Sequence, residues 1–262
     1  MKKELFDLSD QNILLTGATG YLGFSMLEVL LDFGAHVFVN TRSKKKYNNT
    51  IKNIDTKFKN KVSPAIFDLN DYKKVKLFFK NDIQFHTIIN NAFNCKTSNF
   101  ENFNEDEYSK TFKLGLTSVA HLNSCALRSL KKGSANIGSA SIINIASMYG
   151  IVSPNPKNYN FKGDNNPPHY GSMKAALIQY TKYASVNLAK YGIRVNSISP
   201  GAFPNSSTRK NRKFITKLKK NIPLNRIGHP NDIKTSVLYL SSKNSSYITG
   251  TNLVVDGGWT VW

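Results

Sequence analysis

The chain has 262 residues, 40% of them hydrophobic, which is enough to bury a sizeable core, and it contains no run of about eighteen apolar residues that would span a membrane. Its formal charge of +20 admits nucleic acid, an anionic membrane or an acidic substrate as partner, yet the lysines run from end to end, which fits a general compositional bias better than a binding face. Cys95 and Cys125 have neither CxxC nor metal-ligand spacing and read as reduced thiols of a cytoplasmic protein without a metal site, and the acids Glu4 and Asp7 stand where a secretion leader would be apolar.

In chain order, Asn12-Ile13-Leu14-Leu15-Thr16 predicts a strand that stops at Gly17-Ala18-Thr19-Gly20-Tyr21-Leu22-Gly23. A helix-period apolar segment over 26–31 closes at Gly34, and 36–39 predicts a second strand. Strand, glycine turn, helix and strand within about thirty residues is the dinucleotide-binding βαβ unit, in which glycines admit a pyrophosphate close to the backbone and the helix start points N–H groups at it. A merely structural tight turn is the alternative. The second strand ends in Asn40-Thr41-Arg42-Ser43-Lys44, with no acid for a ribose 2′-hydroxyl and an arginine suited to a 2′-phosphate, so NADP(H) is favoured over NAD(H).

The alternation continues with a third strand at 65–67 ending in Asp68-Leu69, a helix over 71–81, and a fourth strand at 87–89 ending in Asn90-Asn91-Ala92. Residues 105–131 read as helix and 141–147 as a fifth strand with a polar end. A helix carrying Tyr170 and Lys174 then runs to about 190. Residues 192–198 form a sixth strand, broken by Pro200-Gly201, and a helix near 231–241 precedes a last strand at 252–255. Strands separated by helices, with no linker or repeat, imply an α/β fold: one doubly wound Rossmann-type domain over 1–262, with a parallel sheet of about seven strands flanked by helices.

Tyr170 and Lys174 lie four apart, one turn above each other on a helix, where an ammonium would favour the phenolate and bring tyrosine towards acid/base use. Such a pair recurs by chance on solvated helices, so it gains weight only from its company. That company resembles the short-chain dehydrogenase/reductase family over nearly the whole chain: the glycine turn, Asp68, Asn90-Asn91-Ala92, Ser147, Tyr170-x-x-x-Lys174, Asn196-x-x-x-Pro200-Gly201 and Val255-Asp256-Gly257-Gly258-Trp259.

The resemblance implies an NAD(P)-dependent oxidoreductase that interconverts an alcohol and a ketone. Gly17, Thr19, Gly20, Tyr21, Leu22, Gly23, Arg42, Asp68, Leu69, Asn91, Ala92, Pro200 and Gly201 would bind the dinucleotide, together with Tyr170 and Lys174. Ser147 would bond the substrate oxygen, Tyr170 would exchange the proton, and Lys174 would hold the nicotinamide ribose and depress the tyrosine pKa. A homo-oligomer, tetramer or dimer, is the family's expectation.

Three departures from the family stand out. Tyr21 takes a place where the shorter enzymes have glycine, Phe93 follows Asn-Asn-Ala where glycine is commoner, and Gly115 stands where an asparagine holding a relay water is expected. An insert at 151–168 separates Ser147 from Tyr170, and a basic stretch over 203–222 reads as a cationic lid suited to an anionic small-molecule substrate; a solvated amphipathic helix is the alternative. The leading reading is oxidoreduction of a sugar, sugar phosphate or nucleotide-linked sugar. A 3-oxoacyl-carrier-protein reductase is the second. The third is a non-catalytic dinucleotide- or nucleic-acid-binding protein on the same fold, disfavoured by intact Ser147, Tyr170 and Lys174.

Overall fold

Seven strands pair in parallel throughout, in the order β3-β2-β1-β4-β5-β6-β7, in a computed structural model that describes residues 4–159 and 166–262. They are β1 (Asn12–Thr16), β2 (His36–Thr41), β3 (Val62–Ile66), β4 (Thr87–Asn90), β5 (Ala140–Ile145), β6 (Ile193–Pro200) and β7 (Asn252–Val255). The helices are α1 (Tyr21–Asp32), α2 (Lys44–Lys52), α3 (Tyr72–Phe78), α4 (Glu105–Phe112), α5 (Ser118–Ile137), α6 (Pro168–Leu188), α7 (Arg212–Lys220) and α8 (Lys234–Ser241).

Strand periodicity divides the core. Ile13 and Leu15 of β1 face α1 and α8 with Val37, Val39, Ile143 and Ile198, whereas Leu14 faces α3, α5 and α6 with Ile88, Ile142 and Val195. Because helices cover both faces of the sheet, β4, β5 and β6 are buried along their length, and polar residues within them such as Asn90, Asn144 and Asn196 are hydrogen-bonded. The strand order reverses between β1 and β4, and a crevice opens there at the carboxyl ends of the strands.

Several elements differ from the sequence-based expectations for identifiable reasons. β3 starts at Val62, three residues early, because Pro64 disguises an edge strand that needs no donor on its outer side. α2, in the basic cluster, was not predicted: only Thr50 is fully buried, and Tyr47 and Ile51 pack partly against the core. The long helix at 105–131 is α4, a π-helical turn at Lys113–Thr117, and α5, which runs on to left-handed Gly138. β6 continues through Pro200 instead of ending at 198, pairing Pro200 with Val255.

Beneath the crevice the layers are joined by buried amides. Asn90 donates to Asn123 Oδ1 (3.1 Å) and Asn144 Oδ1 (2.8 Å), and Asn144 donates to Thr181 Oγ1 (2.8 Å). Because every polar group here would be costly unpaired, the chain β4–β5–α6 fixes the register of the elements that carry the site. Among the described residues no helix is long and apolar enough to cross a membrane.

Candidate active site

The glycine turn is locked by its neighbours. Thr16 Oγ1 accepts from the backbone N–H groups of Asn91 (2.9 Å) and Ala92 (3.0 Å), and the Asn91 amide donates to the carbonyls of Thr16 and Gly17. Gly17 has φ +65°, and a Cβ there would lie 2.7 Å from the Ala92 Cα, so a side chain is excluded both by conformation and by room. Asn91 and Ala92 therefore line the crevice while the Asn91 side chain is spent on shaping the turn.

A cavity of about 480 Å³ opens beside this turn. Gly17, Thr19, Gly20, Tyr21, Leu22, Gly23, Arg42, Asp68, Leu69, Asn91 and Ala92 all line it, as expected; so do Asn40, Thr41 and Phe93, which the sequence marked without a binding role, and Lys46, Phe67, Asn70 and Leu114, which were not among the expected binding residues. α1 begins at Gly20 with no side-chain cap, leaving its first N–H groups without a side-chain acceptor. Such a start fits a pyrophosphate, and the residues present therefore suit a dinucleotide. Asn40 spends its amide on the carbonyls of Ala65 and Phe67, while Arg42 is exposed on the rim, 3.9 Å from Asp68. Pro200 and Gly201 lie at the end of β6, outside the lining of this cavity, with Gly201 N donating to Val255 O.

Ser147, Tyr170 and Lys174 meet at the carboxyl end of β5. Close approach makes this possible: a Cβ on Gly150 would stand 2.8 Å from the Lys174 carbonyl carbon, so the turn after Ser147 lies directly against α6. The Ser147 hydroxyl accepts from Tyr149 N at 3.2 Å and hydrogen-bonds the Tyr170 phenol. Lys174, almost fully buried, donates to the Ile145 carbonyl at 2.6 Å. Its Nζ lies 4.7 Å from the Phe93 ring centroid and 5.8 Å from that of Tyr170.

The electrostatics differ from expectation. Burial pushes the Tyr170 phenol above the usual tyrosine value, and the Ser147 hydrogen bond draws it only part of the way back. Burial also lowers Lys174 to about 8. The depression of tyrosine expected from the lysine is absent because the ammonium is turned to the Ile145 carbonyl and the Phe93 ring. The phenol is thus a neutral acid at neutral pH.

The insert and the basic stretch join over the outer side of this trio. Asn221 Nδ2 donates to the buried Asn158 Oδ1 (2.8 Å), Lys217 Nζ donates to the Lys157 carbonyl (3.2 Å), and the rings of Tyr159 and Phe214 stand 5.8 Å apart. Tyr159 in turn shares a hydrogen bond with Tyr149 (3.2 Å). Residues 160–165 of the insert lie outside the described residues. α7 turns Phe214, Ile215 and Leu218 inward onto Met148, Ile222 and Trp259, whereas Arg212, Lys213, Lys219 and Lys220 face solvent. Of the two readings of this stretch, the amphipathic one describes α7, whose inner face is apolar and whose cations point outward.

Residues 17–260 match a family model described as enoyl-(acyl carrier protein) reductase. The chain is 28% identical over 256 residues to a 3-oxoacyl-[acyl-carrier-protein] reductase, FabG, of Chlamydia muridarum, covering 96% of this chain and 98% of that one. A short-chain dehydrogenase from Leptospira borgpetersenii, solved with bound NAD+, is 30% identical with a TM-score of 0.84, covering 100% and 96%. A gluconate 5-dehydrogenase from Burkholderia cenocepacia, solved with NADP and tartrate, has a TM-score of 0.87 over the full length of both chains at 22% identity, a likeness of fold alone.

Proposed function

The chain belongs to the short-chain dehydrogenase/reductase family of NAD(P)-dependent oxidoreductases, and from that footing we propose that it reduces a ketone on a sugar-type substrate with NADP(H). The observation that carries the chemistry is the convergence of Ser147, Tyr170 and Lys174 beside the glycine-turn cavity. When bound there, a nicotinamide supplies the hydride. Ser147 and Tyr170 hold the substrate oxygen between their hydroxyls, and Tyr170, a neutral phenol at neutral pH that burial moves further from ionising, donates the proton as negative charge builds on that oxygen. A protonated acid suits the reductive direction. Lys174 would hold the ribose, and Pro200-Gly201, at the end of β6, would set backbone against the nicotinamide.

NADP(H) is favoured because no carboxylate ends β2, Asn40 is committed to β3, and Arg42 with Lys46 stands at the cavity's rim. For the substrate, residues 203–222 act as a lid that meets the insert through Asn158 and Tyr159, and the tyrosines 149 and 159 with Phe214 offer ring faces and hydroxyls suited to a neutral sugar ring. The outward lysines of α7 remove the charge argument for a phosphate beneath the lid. A 3-oxoacyl-carrier-protein reductase is the second reading, favoured by the FabG relatives and by a basic exterior that an acidic carrier would meet. The exposed Tyr183 and Val186 on α6 support assembly into a homo-oligomer, which sedimentation would detect.

The test is turnover with NADPH and NADH against keto sugars, nucleotide sugars and oxoacyl thioesters. Keto sugars should turn over faster than thioesters. The opposite order selects the second reading, and no turnover together with no enhancement of NADPH fluorescence overturns both.

A further inference from the structure

An ammonium has three N–H bonds to satisfy, and the Lys174 residue that carries one here is 4% exposed. One hydrogen bond goes to the Ile145 carbonyl at 2.6 Å; on another side stands the face of Phe93, its centroid 4.7 Å from Nζ. A ring face attracts a desolvated cation within about 6 Å. The Phe93 ring is held in turn: it packs 5.4 Å from the Tyr170 ring, and on its other side lies the π turn that contains Gly115. A Cβ on Gly115 would run into Met173 Sδ and stand 3.0 Å from Phe93 Cε2, and Met173 is wholly buried. Two large side chains, at 93 and 173, fill the room that a side chain at 115 would need.

We propose that Phe93 is a positioning residue for the proton-transfer centre, its ring face standing in for hydrogen-bond acceptors on the Lys174 ammonium while Met173 braces the ring across Gly115. The proposal rests on the roles given above to Tyr170 and Lys174. It also accounts for Gly115: the water-holding asparagine expected there has no space, because Met173 and Phe93 occupy it. The other titratable groups around the ammonium are the Cys95 thiol, from the loop after β4, and Tyr170 on its own helix. Glu107 of α4 faces Cys95 and His169, and Tyr149 and Tyr159 face Tyr170.

The experiment titrates Lys174 in the free protein by 13Cε-lysine NMR, with its resonance identified by loss in Lys174→Met. Phe93→Leu keeps bulk but removes the ring's charge distribution, so the Lys174 midpoint should fall by about one pH unit, while Phe93→Tyr should leave it in place. An unchanged midpoint in Phe93→Leu, or a rise from admitted water, overturns the proposal. If Phe93→Leu does not fold, Gly115→Ala serves: crowding Met173 and the ring should lower the midpoint, and adding Met173→Ala should return it. An unmoved midpoint in Gly115→Ala overturns the proposal equally. No substrate or turnover enters these titrations, so the failure of the oxidoreductase reading would appear in the turnover screen and not here.

Discussion

Asn221, just past the end of α7, donates its amide to the buried Asn158 of the insert at 2.8 Å, which ties together the two segments proposed to cover Ser147, Tyr170 and Lys174. Asn158 has nowhere else to turn if this bond is lost. Asn221→Ala should therefore raise KM for the carbonyl substrate about two- to tenfold, the worth of one hydrogen bond. The Kd for NADPH, read by fluorescence titration, should stay within about twofold of the parent protein. A loss confined to cofactor binding would mean that the contact braces the turn and not the cover.

Tyr170→Phe removes the proposed proton donor but leaves the ring that packs on Phe93. We expect kcat to fall by at least about a hundredfold, as for loss of a positioned acid, with NADPH fluorescence enhancement retained. Ser147→Ala should fall by a similar factor. It should also raise the phenol further, since its hydroxyl is what draws Tyr170 down against burial. Turnover at the parent rate in Tyr170→Phe would remove this residue from the chemistry.

On the proposed reading Arg42, with Lys46 beside it at the cavity's rim, meets the 2′-phosphate, and it is tethered only loosely by Asp68 at 3.9 Å. Losing one charge-assisted contact to a 2′-phosphate should weaken NADPH about tenfold in Arg42→Ala and leave NADH unchanged, so the ratio of the two kcat/KM values is the informative measurement. Equal losses for both cofactors would place Arg42 elsewhere, at the adenine or the pyrophosphate.

The βαβ unit and the trio were legible because each rests on local rules: period-2 apolar runs, glycines where backbone must pass close, and a four-residue spacing on one helix face. What escaped was set by tertiary contact. Pro64 hid an edge strand, and α2 holds to the core by only a few side chains. The lysines of 203–222 suggest a cationic lid, yet the helix period places Phe214, Ile215 and Leu218 inward, which is the amphipathic alternative that periodicity favours over charge. Phe93 and Gly115 carry a signal as well, each departing from the family's usual residue, whereas Met173 carries none. Only the fold shows that the three positions touch.

Burying Lys174 costs stability, and its pH dependence has a definite sign. The folded protein holds the ammonium at about 8, below the ordinary lysine value of 10.5, so between those limits the unfolded chain binds more protons and stability rises with pH. Below about pH 8 the charge is carried in both states and the full penalty of desolvation is present. Lys174→Met replaces the charge by an apolar chain of similar length that fits beside Phe93 and Ile145. At pH 7 it should raise stability by about 1–3 kcal/mol, several degrees in Tm, while abolishing turnover. The gain should shrink as pH climbs from 8 towards 10.5, because the parent protein sheds its buried charge over that range. Thermal melts at pH 7 and pH 10 on the two proteins decide the matter: a gain that is equal at both, or a loss at pH 7, would mean that the ammonium's contacts with Ile145 and Phe93 outweigh the cost of keeping it from water.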